Sequence, residues 1–540
     1  MMWRAVLGVA LLLAVGCSAT TSGRPPHFVE ETVAGLSSVY DGGWEFYVGG
    51  GVAVFDCTGD GRPDLFLAGG SNRSVLYRNV SVPGGPLRFV RQENSGVELD
   101  NVIGAYPLDI DGDGVMDLVV LRVGGNVLFR GRGDCTFERA NEMWGFDGGQ
   151  AWTTAFSATW EAGANWPTLA IGNYVDRNKP GSPFGTCHDN FLFRPAPSGR
   201  GFAAPTPLRP GYCTLSMLFT DWNRSGQADL MVTNDRQYYR GGENQLWRIR
   251  PGRPPVLYGR SDGWQKLEIW GMGIASYDLS GTGYPDYFLT SMGDNKLRTR
   301  TGSKTQPTYA DTALARGVTA QRPYTGGDVR PSTAWQAEFG DVNNDGLIDL
   351  FIAKGNVDAM EDAAQRDPSN LLVGKPDGRF VEGAPAAGIV NFGRARGAAL
   401  ADFNLDGMLD LVVVNRRENV KLWRNVGWGS AARPRLSGNW LELRLRQPGG
   451  NRDAVGAWIE VEIGGRMLRR EITVGGGHAG GQLGWVHFGL GATPQPRVRI
   501  QWPHGDWGPW LSLAANQFAY VERGDGQTND RIVPWQPPRP

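Results

Sequence analysis

Asp109-Ile110-Asp111-Gly112-Asp113-Gly114-Val115-Met116-Asp117-Leu118-Val119-Val120 is the stretch that decides how this chain is read. It joins a loop with carboxylates at positions 1, 3, 5 and 9 to a short apolar strand. The same pairing returns as Asp341-Val342-Asn343-Asn344-Asp345-Gly346-Leu347-Ile348-Asp349 before Leu350-Phe351-Ile352. It returns again as Asp402-Phe403-Asn404-Leu405-Asp406-Gly407-Met408-Leu409-Asp410 before Leu411-Val412-Val413. Copies of one unit point to a repeat architecture.

Working outward, the strand after the loop recurs in weaker copies: Asp64-Leu65-Phe66-Leu67, Thr168-Leu169-Ala170-Ile171, Asp229-Leu230-Met231-Val232 and Asp286-Tyr287-Phe288-Leu289. A further strand follows each, as in Val75-Leu76-Tyr77-Arg78-Asn79, Asn126-Val127-Leu128-Phe129-Arg130 and Lys421-Leu422-Trp423-Arg424-Asn425. The period of roughly 50–60 residues suits a four-stranded propeller blade and is long for a parallel β-helix. Seven such units make the expected fold all-β, a seven-bladed β-propeller over residues 27–428. The seventh unit lacks a fourth strand, while His27-Phe28-Val29-Glu30-Glu31 echoes Arg379-Phe380-Val381-Glu382. The N-terminal strand is therefore expected to complete the last blade and remove two open sheet edges.

The acidic loops carry the chemistry. Calcium takes six to eight hard oxygens, and alternate residues of a tight loop can aim theirs at one centre. A glycine at position 6 permits the turn, and the carbonyls of Val115, Leu347 and Met408 at position 7 can add a ligand. The expected ligand sets are Asp109, Asp111, Asp113, Val115 and Asp117; Asp341, Asn343, Asp345, Leu347 and Asp349; and Asp402, Asn404, Asp406, Met408 and Asp410. Weaker sets are Asp56, Asp60 and Asp64 in the first repeat and Asp221, Asn223, Ser225 and Asp229 in the fourth. The fifth loop keeps Asp278 and Asp286 but has Ser280 and Thr282 between them, and the third has lost the pattern. Asp, Asn and Gly also build ordinary turns; three full copies in one register favour Ca2+ as the cofactor.

These repeats resemble the FG-GAP or VCBS repeats of integrin α-subunit propellers and bacterial envelope proteins. The resemblance implies structural calcium on one propeller face. From about Gly438 the pattern changes to alternating strands, Trp440-Leu441-Glu442-Leu443-Arg444-Leu445 and Trp458-Ile459-Glu460-Val461-Glu462-Ile463, as half-buried antiparallel sheets do. With Arg452-Asp453-Ala454-Val455-Gly456-Ala457, Gly475-Gly476-Gly477-His478 and His487-Phe488-Gly489-Leu490-Gly491, residues 438–523 resemble the ASPIC/UnbV domain that follows such propellers in cartilage acidic proteins and bacterial relatives. A small β-sandwich-like domain is expected there, then a Pro-rich tail over 524–540 that supports no core.

The N-terminus is basic at Arg4, apolar from Ala5 to Val15, and ends in Leu13-Ala14-Val15-Gly16-Cys17. This resembles a lipoprotein signal peptide over residues 1–17, with Cys17 lipidated and 18–26 a tether; plain secretion is the alternative. An exported envelope protein can hold disulfides. Cys57 with Cys135 and Cys187 with Cys213 is the preferred pairing, because each joins neighbouring repeats; free buried thiols are the alternative.

A formal net charge of -1 provides no global field for nucleic acid or an anionic membrane. There is no nucleophile elbow, zinc-protease helix or phosphate loop, so an enzyme is not expected; Gly475-Gly476-Gly477 reads as a β-turn and His478 and His487 as structural. The expected role is a non-catalytic, adhesion-like binding or scaffolding protein, touching the membrane only through Cys17. A glycan is the alternative partner to a protein, with Trp502, Trp507 and Trp510 as the candidate exposed patch; an uncharacterised enzyme or maturation factor is the remaining alternative.

Overall fold

The computed structural model describes residues 23–179, 186–235, 241–319, 329–525 and 529–537. The expected signal peptide with Cys17, and residues 18–22 of the tether, lie outside them. Among the described residues no helix is long and apolar enough to cross a membrane.

The chain is all-β and built of propeller-like antiparallel sheets. The second repeat shows the unit: Val102–Leu108, Asp117–Arg122, Val127–Gly131 and Phe137–Arg139 pair in sequence order as a four-stranded meander. Its first strand is buried along its whole length, while the fourth buries only its first residue. The first strands are rich in small residues, as in Arg394–Ala401, RARGAALA. Small side chains let these strands crowd together: a Cβ on Gly397 would lie 2.5 Å from the Gly50 carbonyl oxygen. Each first strand lies against the next, and Arg394–Ala401 of the seventh repeat lies against Val52–Phe55 of the first.

Phe28–Glu30 pairs antiparallel with Lys421–Asn425, with Phe28 opposite Asn425 and Glu30 opposite Trp423. It carries the same FVE triplet as the sixth repeat's fourth strand, Phe380–Glu382, and buries the same Phe. Two disulfides join neighbours, Cys57 to Cys135 and Cys187 to Cys213.

The C-terminal domain has two four-stranded sheets, one built around Asn439–Arg446 and Gln517–Glu522, the other around Trp458–Ile463 and Arg497–Gln501. Leu441, Leu443, Ile459, Val461, Val498, Ile500, Ala519 and Val521 from both sheets belong to one buried cluster. The tail departs from expectation. Arg531–Trp535 is a strand paired with Gln517–Glu522, and Trp535 packs on Trp485 and Phe518. Pro534 is tolerated because the strand is at the sheet's edge.

The tether also departs from expectation at its end. The Gly23 amide donates to Asp345 Oδ2 at 2.5 Å, and Asn343 Nδ2 donates to the Arg24 carbonyl at 2.8 Å. Residues 23 and 24 are thus hydrogen-bonded to the sixth acidic loop.

The glycine run at 475–477 is not a simple β-turn. Residues 474–483 thread among the first strands of the propeller sheets. Val474–Gly475 bridges Thr153–Thr159 and Thr214–Thr220, Gly477 bridges Ile274, and Gln482–Leu483 runs parallel to Val52–Phe55. The glycines are needed for approach: a Cβ on Gly475 would lie 2.4 Å from Ser157 Oγ, and one on Gly480 2.3 Å from the Val52 carbonyl oxygen. His478 sits in the middle, fully buried. Its Nε2 accepts from the Gly49 amide at 3.0 Å, and its Nδ1 is 3.2 Å from the Met272 carbonyl oxygen.

Candidate functional site

Six acidic loops share one backbone path. Position 4 is left-handed in each, at Gly59, Gly112, Arg224, Gly281, Asn344 and Leu405, and so is the position-6 glycine. The position-1 carboxylate fixes this turn. Asp109 accepts from Gly112 and Gly114, Asp341 from Asp345 and Gly346, and Asp402 from Asp406 and Gly407, at 2.7–3.2 Å. Asp56 and Asp221 do the same in the first and fourth repeats. At position 5, Asp113, Asp345 and Asp406 accept from the amides of Val115, Leu347 and Met408.

Position 9 does other work. Asp117 Oδ2 accepts from Ile110 and Oδ1 from Gly131; Asp349 takes Val342 and Gly374; Asp410 takes Phe403 and Asn425; Asp64 takes Cys57 and Asn79. One oxygen thus holds the loop and the other holds the end of the third strand. Asp229 repeats the theme with Trp222 Nε1 and the Ile249 amide. Position 9, expected among the ligands, thus also braces the loop against the third strand.

The loops differ in exposure and neighbours. In the second, one carboxylate oxygen each from Asp109, Asp111 and Asp113 lie within 4.8 Å of one another, and Arg130 pairs with Asp111 and Asp113 at 2.7 and 2.8 Å. In the first, Asp60 pairs with Arg62. In the fourth, Asn223 Oδ1 is buried without a hydrogen-bond partner and Ser225 Oγ is 3.3 Å from Asp221. Among the described residues no salt bridge reaches the acids of the sixth or seventh loop. Burial, then neighbouring carboxylates, push Asp341, Asp349, Asp402 and Asp410 well above the usual range. Burial lifts Asp406 to about 7. Asn404 is fully buried and its Oδ1 has no hydrogen-bond partner. Crowded carboxylates and an orphaned amide oxygen fit a hard divalent cation better than an empty turn.

The C-terminal domain covers this face. A Cβ on the position-6 glycine would strike it at Gly61 (Trp535, 2.2 Å), Gly407 (Trp440, 2.0 Å) and Gly346 (Arg466, 2.7 Å). His487 links Glu442, 2.9 Å away, to Asn344 of the sixth loop, 2.7 Å away. Between the domains remains a cavity of about 220 Å³, bordered by Glu338, Asp402, Arg470 and Glu471. Burial raises Glu338 to about 7 and Glu471 to about 8.

Residues 56–120 and 341–413 match the family model described as FG-GAP-like repeat, and residues 447–528 match that of ASPIC and UnbV. This chain carries FG-GAP-like repeats and a C-terminal ASPIC/UnbV domain. The FG-GAP matches hold the first, second, sixth and seventh acidic loops, and the ASPIC/UnbV match holds the threading segment. No curated protein matches the chain. Among solved structures it is similar to BBS1N in complex with ARL6DN (10% identity, 77% of this chain and 99% of that one, TM-score 0.40). It is also similar to Saccharomyces cerevisiae Sqt1 (11%, 75% and 99%, 0.39). A third is an Agrocybe aegerita lectin that recognises non-reducing terminal N-acetylglucosamine (14%, 73% and 96%, 0.38).

The tryptophans suggested as an exposed patch are otherwise engaged. Trp502 is buried, donating to Asp530 at 2.8 Å, and Arg499 stacks between Trp507 and Trp510 at 4.4 and 4.5 Å. Arg497 also lies over Trp510, at 5.2 Å, so these rings already have cation–π partners.

Proposed function

We propose that this is an exported, envelope-tethered scaffolding protein whose FG-GAP repeats form a closed seven-bladed propeller locked by calcium. The observation that carries the reading is the seventh loop, where Asp402, Asp406 and the orphaned Asn404 Oδ1 belong to one buried turn. Positions 1, 3 and 5 of the second, sixth and seventh loops would hold the ion, with weaker holds in the first and fourth. Position 9 braces the loop from below. Bound calcium would supply positive charge to carboxylates that otherwise crowd one another. The seven meanders, the pairing of Phe28–Glu30 and the contact between the first and last inner strands support ring closure. Lipidation at Cys17 would provide the tether.

The ASPIC/UnbV domain covers the loop face, so a protein partner would meet the opposite face or the rim. The role is non-catalytic in this reading: the loops and the threaded segment serve to hold a rigid platform. Exported calcium sites of this kind bind at about 10⁻⁴–10⁻³ M. The test is elemental analysis of the purified mature chain together with melting in calcium and in chelator. Tm is expected to fall on chelation and to rise with added calcium by mass action. An unchanged melting curve with no bound metal would remove the calcium reading.

A further inference from the structure

The fifth loop keeps Asp278 at position 1, but its position-3 and position-5 side chains, Ser280 and Thr282, bond each other at 3.1 Å. A guanidinium stands beside them. Arg469, from strand Arg466–Glu471 of the C-terminal domain, places Nη1 2.9 Å from Asp278 Oδ2 and 3.4 Å from the Gly281 carbonyl oxygen. The two side chains are 16% and 1% exposed, so the pair is nearly dry. Arg469 thus meets a position-1 carboxylate and a loop carbonyl, two kinds of oxygen that calcium also takes. Asp278 Oδ1 is buried without a hydrogen-bond partner. That leaves one free carboxylate acceptor, against the six to eight oxygens that calcium needs.

Arginines also meet carboxylates beside the third and fourth loops, which have lost acids. Arg194 Nε lies 2.6 Å from Glu161 in the third repeat, and Arg250 Nη1 lies 2.6 Å from Asp229 in the fourth. Those arginines come from the propeller itself, while Arg469 crosses from the other domain. A buried carboxylate needs a partner charge, and removing that partner is costly.

We propose that Arg469 is the resident cation of the fifth loop, delivered by the C-terminal domain in place of calcium. This inference rests on the calcium reading of the other loops, because it makes domain docking and metal binding equivalent ways to neutralise one face of the ring. It also gives the ASPIC/UnbV domain a reason to sit where it does: its strand supplies the charge that the loop's sequence no longer recruits from solution.

The test is a double-mutant cycle of Arg469→Met and Asp278→Asn on the full mature chain, melted in saturating calcium and in chelator. Glu460, the other partner of Arg469, keeps Arg499 at 2.6 Å, so the Arg469→Met effect is read mainly at Asp278. Each single variant is expected to lower Tm by about 3 °C or more, equally in both buffers. The double variant should lose much less than the sum. Equilibrium dialysis should count the same number of calcium ions in wild type and Asp278→Asn. An Asp278→Asn effect that disappears in chelator, one calcium fewer in that variant, or additive losses would each overturn the proposal. Should wild type ignore chelator, the calcium reading fails separately, and the cycle alone then decides whether Arg469 neutralises Asp278.

Discussion

The Asn344 side-chain amide donates to the Gly407 carbonyl at 2.8 Å, tying position 4 of the sixth loop to position 6 of the seventh. A second tie runs between the same repeats, from Asn425 Nδ2 to the Val342 carbonyl at 2.8 Å. Calcium in one loop would therefore order a backbone shared with the other. Asp345→Asn and Asp406→Asn are each expected to reduce the calcium-dependent rise in Tm, and their double variant to depart from additivity by about 0.5–3 kcal/mol. Calcium titrations of the four proteins measure this; losses that add would show the loops to be independent.

Asp349 is expected to behave differently from its neighbour Asp345. Both of its oxygens hold backbone N–H groups, Val342 at 3.0 Å and Gly374 at 2.8 Å. Asp349→Ala would leave two buried donors unsatisfied, at about 1–3 kcal/mol each. The loss should appear in calcium and in chelator alike. Denaturant unfolding in both buffers checks it, and a loss confined to calcium would make Asp349 a ligand first.

Gly104→Ala should prevent seating of residues 474–483. Its Cβ would fall 1.6 Å from the Ala479 carbonyl oxygen. That backbone is fixed nearby by Gly476 donating to Met217 at 2.6 Å and Gly477 donating to Ile274 at 2.7 Å. A cost of about 3 kcal/mol or more is expected, as for forced overpacking. Unfolding midpoints measure it; a variant as stable as wild type would mean that the segment does not pack against Gly104.

Acid stability should report on His478. Burial lowers its pKa from 6.5 to about 3, with Arg396 adding to the fall. The unfolded chain binds the proton more readily, so this term is fully present above pH 6.5 and is lost as pH falls through the window down to about 3. Glu471, raised from 4.5 to about 8, works in the opposite sense: its term is present below pH 4.5 and is lost as pH rises toward 8. A His478→Gln variant removes only the first. Its Tm relative to wild type should climb as pH drops from 6.5 toward 3, and parallel profiles would refute the assignment.

Much of this architecture is local, and so the sequence by itself determined it. The meander units follow from runs such as Asp117–Arg122, the left-handed turns from the position-6 glycines, and the N-terminal pairing from the shared Phe-Val-Glu triplet. Strands and turns are encoded within about ten residues, where periodicity and turn chemistry act, and the pairing is legible because the repeat restates its own fourth strand. The disulfide partners were also legible, because the repeats put each cysteine beside a neighbouring unit.

Tertiary structure alone decided the rest. A glycine run reads alike whether it turns in solvent or threads against Ser157, Ile274 and Gln336, residues far apart in the chain. Trp535 lies in a proline-rich tail by composition, yet it is the ring that meets Gly61. Nor does the spacing of acids tell that Arg469, 191 residues from Asp278, brings the charge to the fifth loop. Spacing records which oxygens a loop offers. The cation that answers them is set by what packs against the loop, and that is a property of the fold.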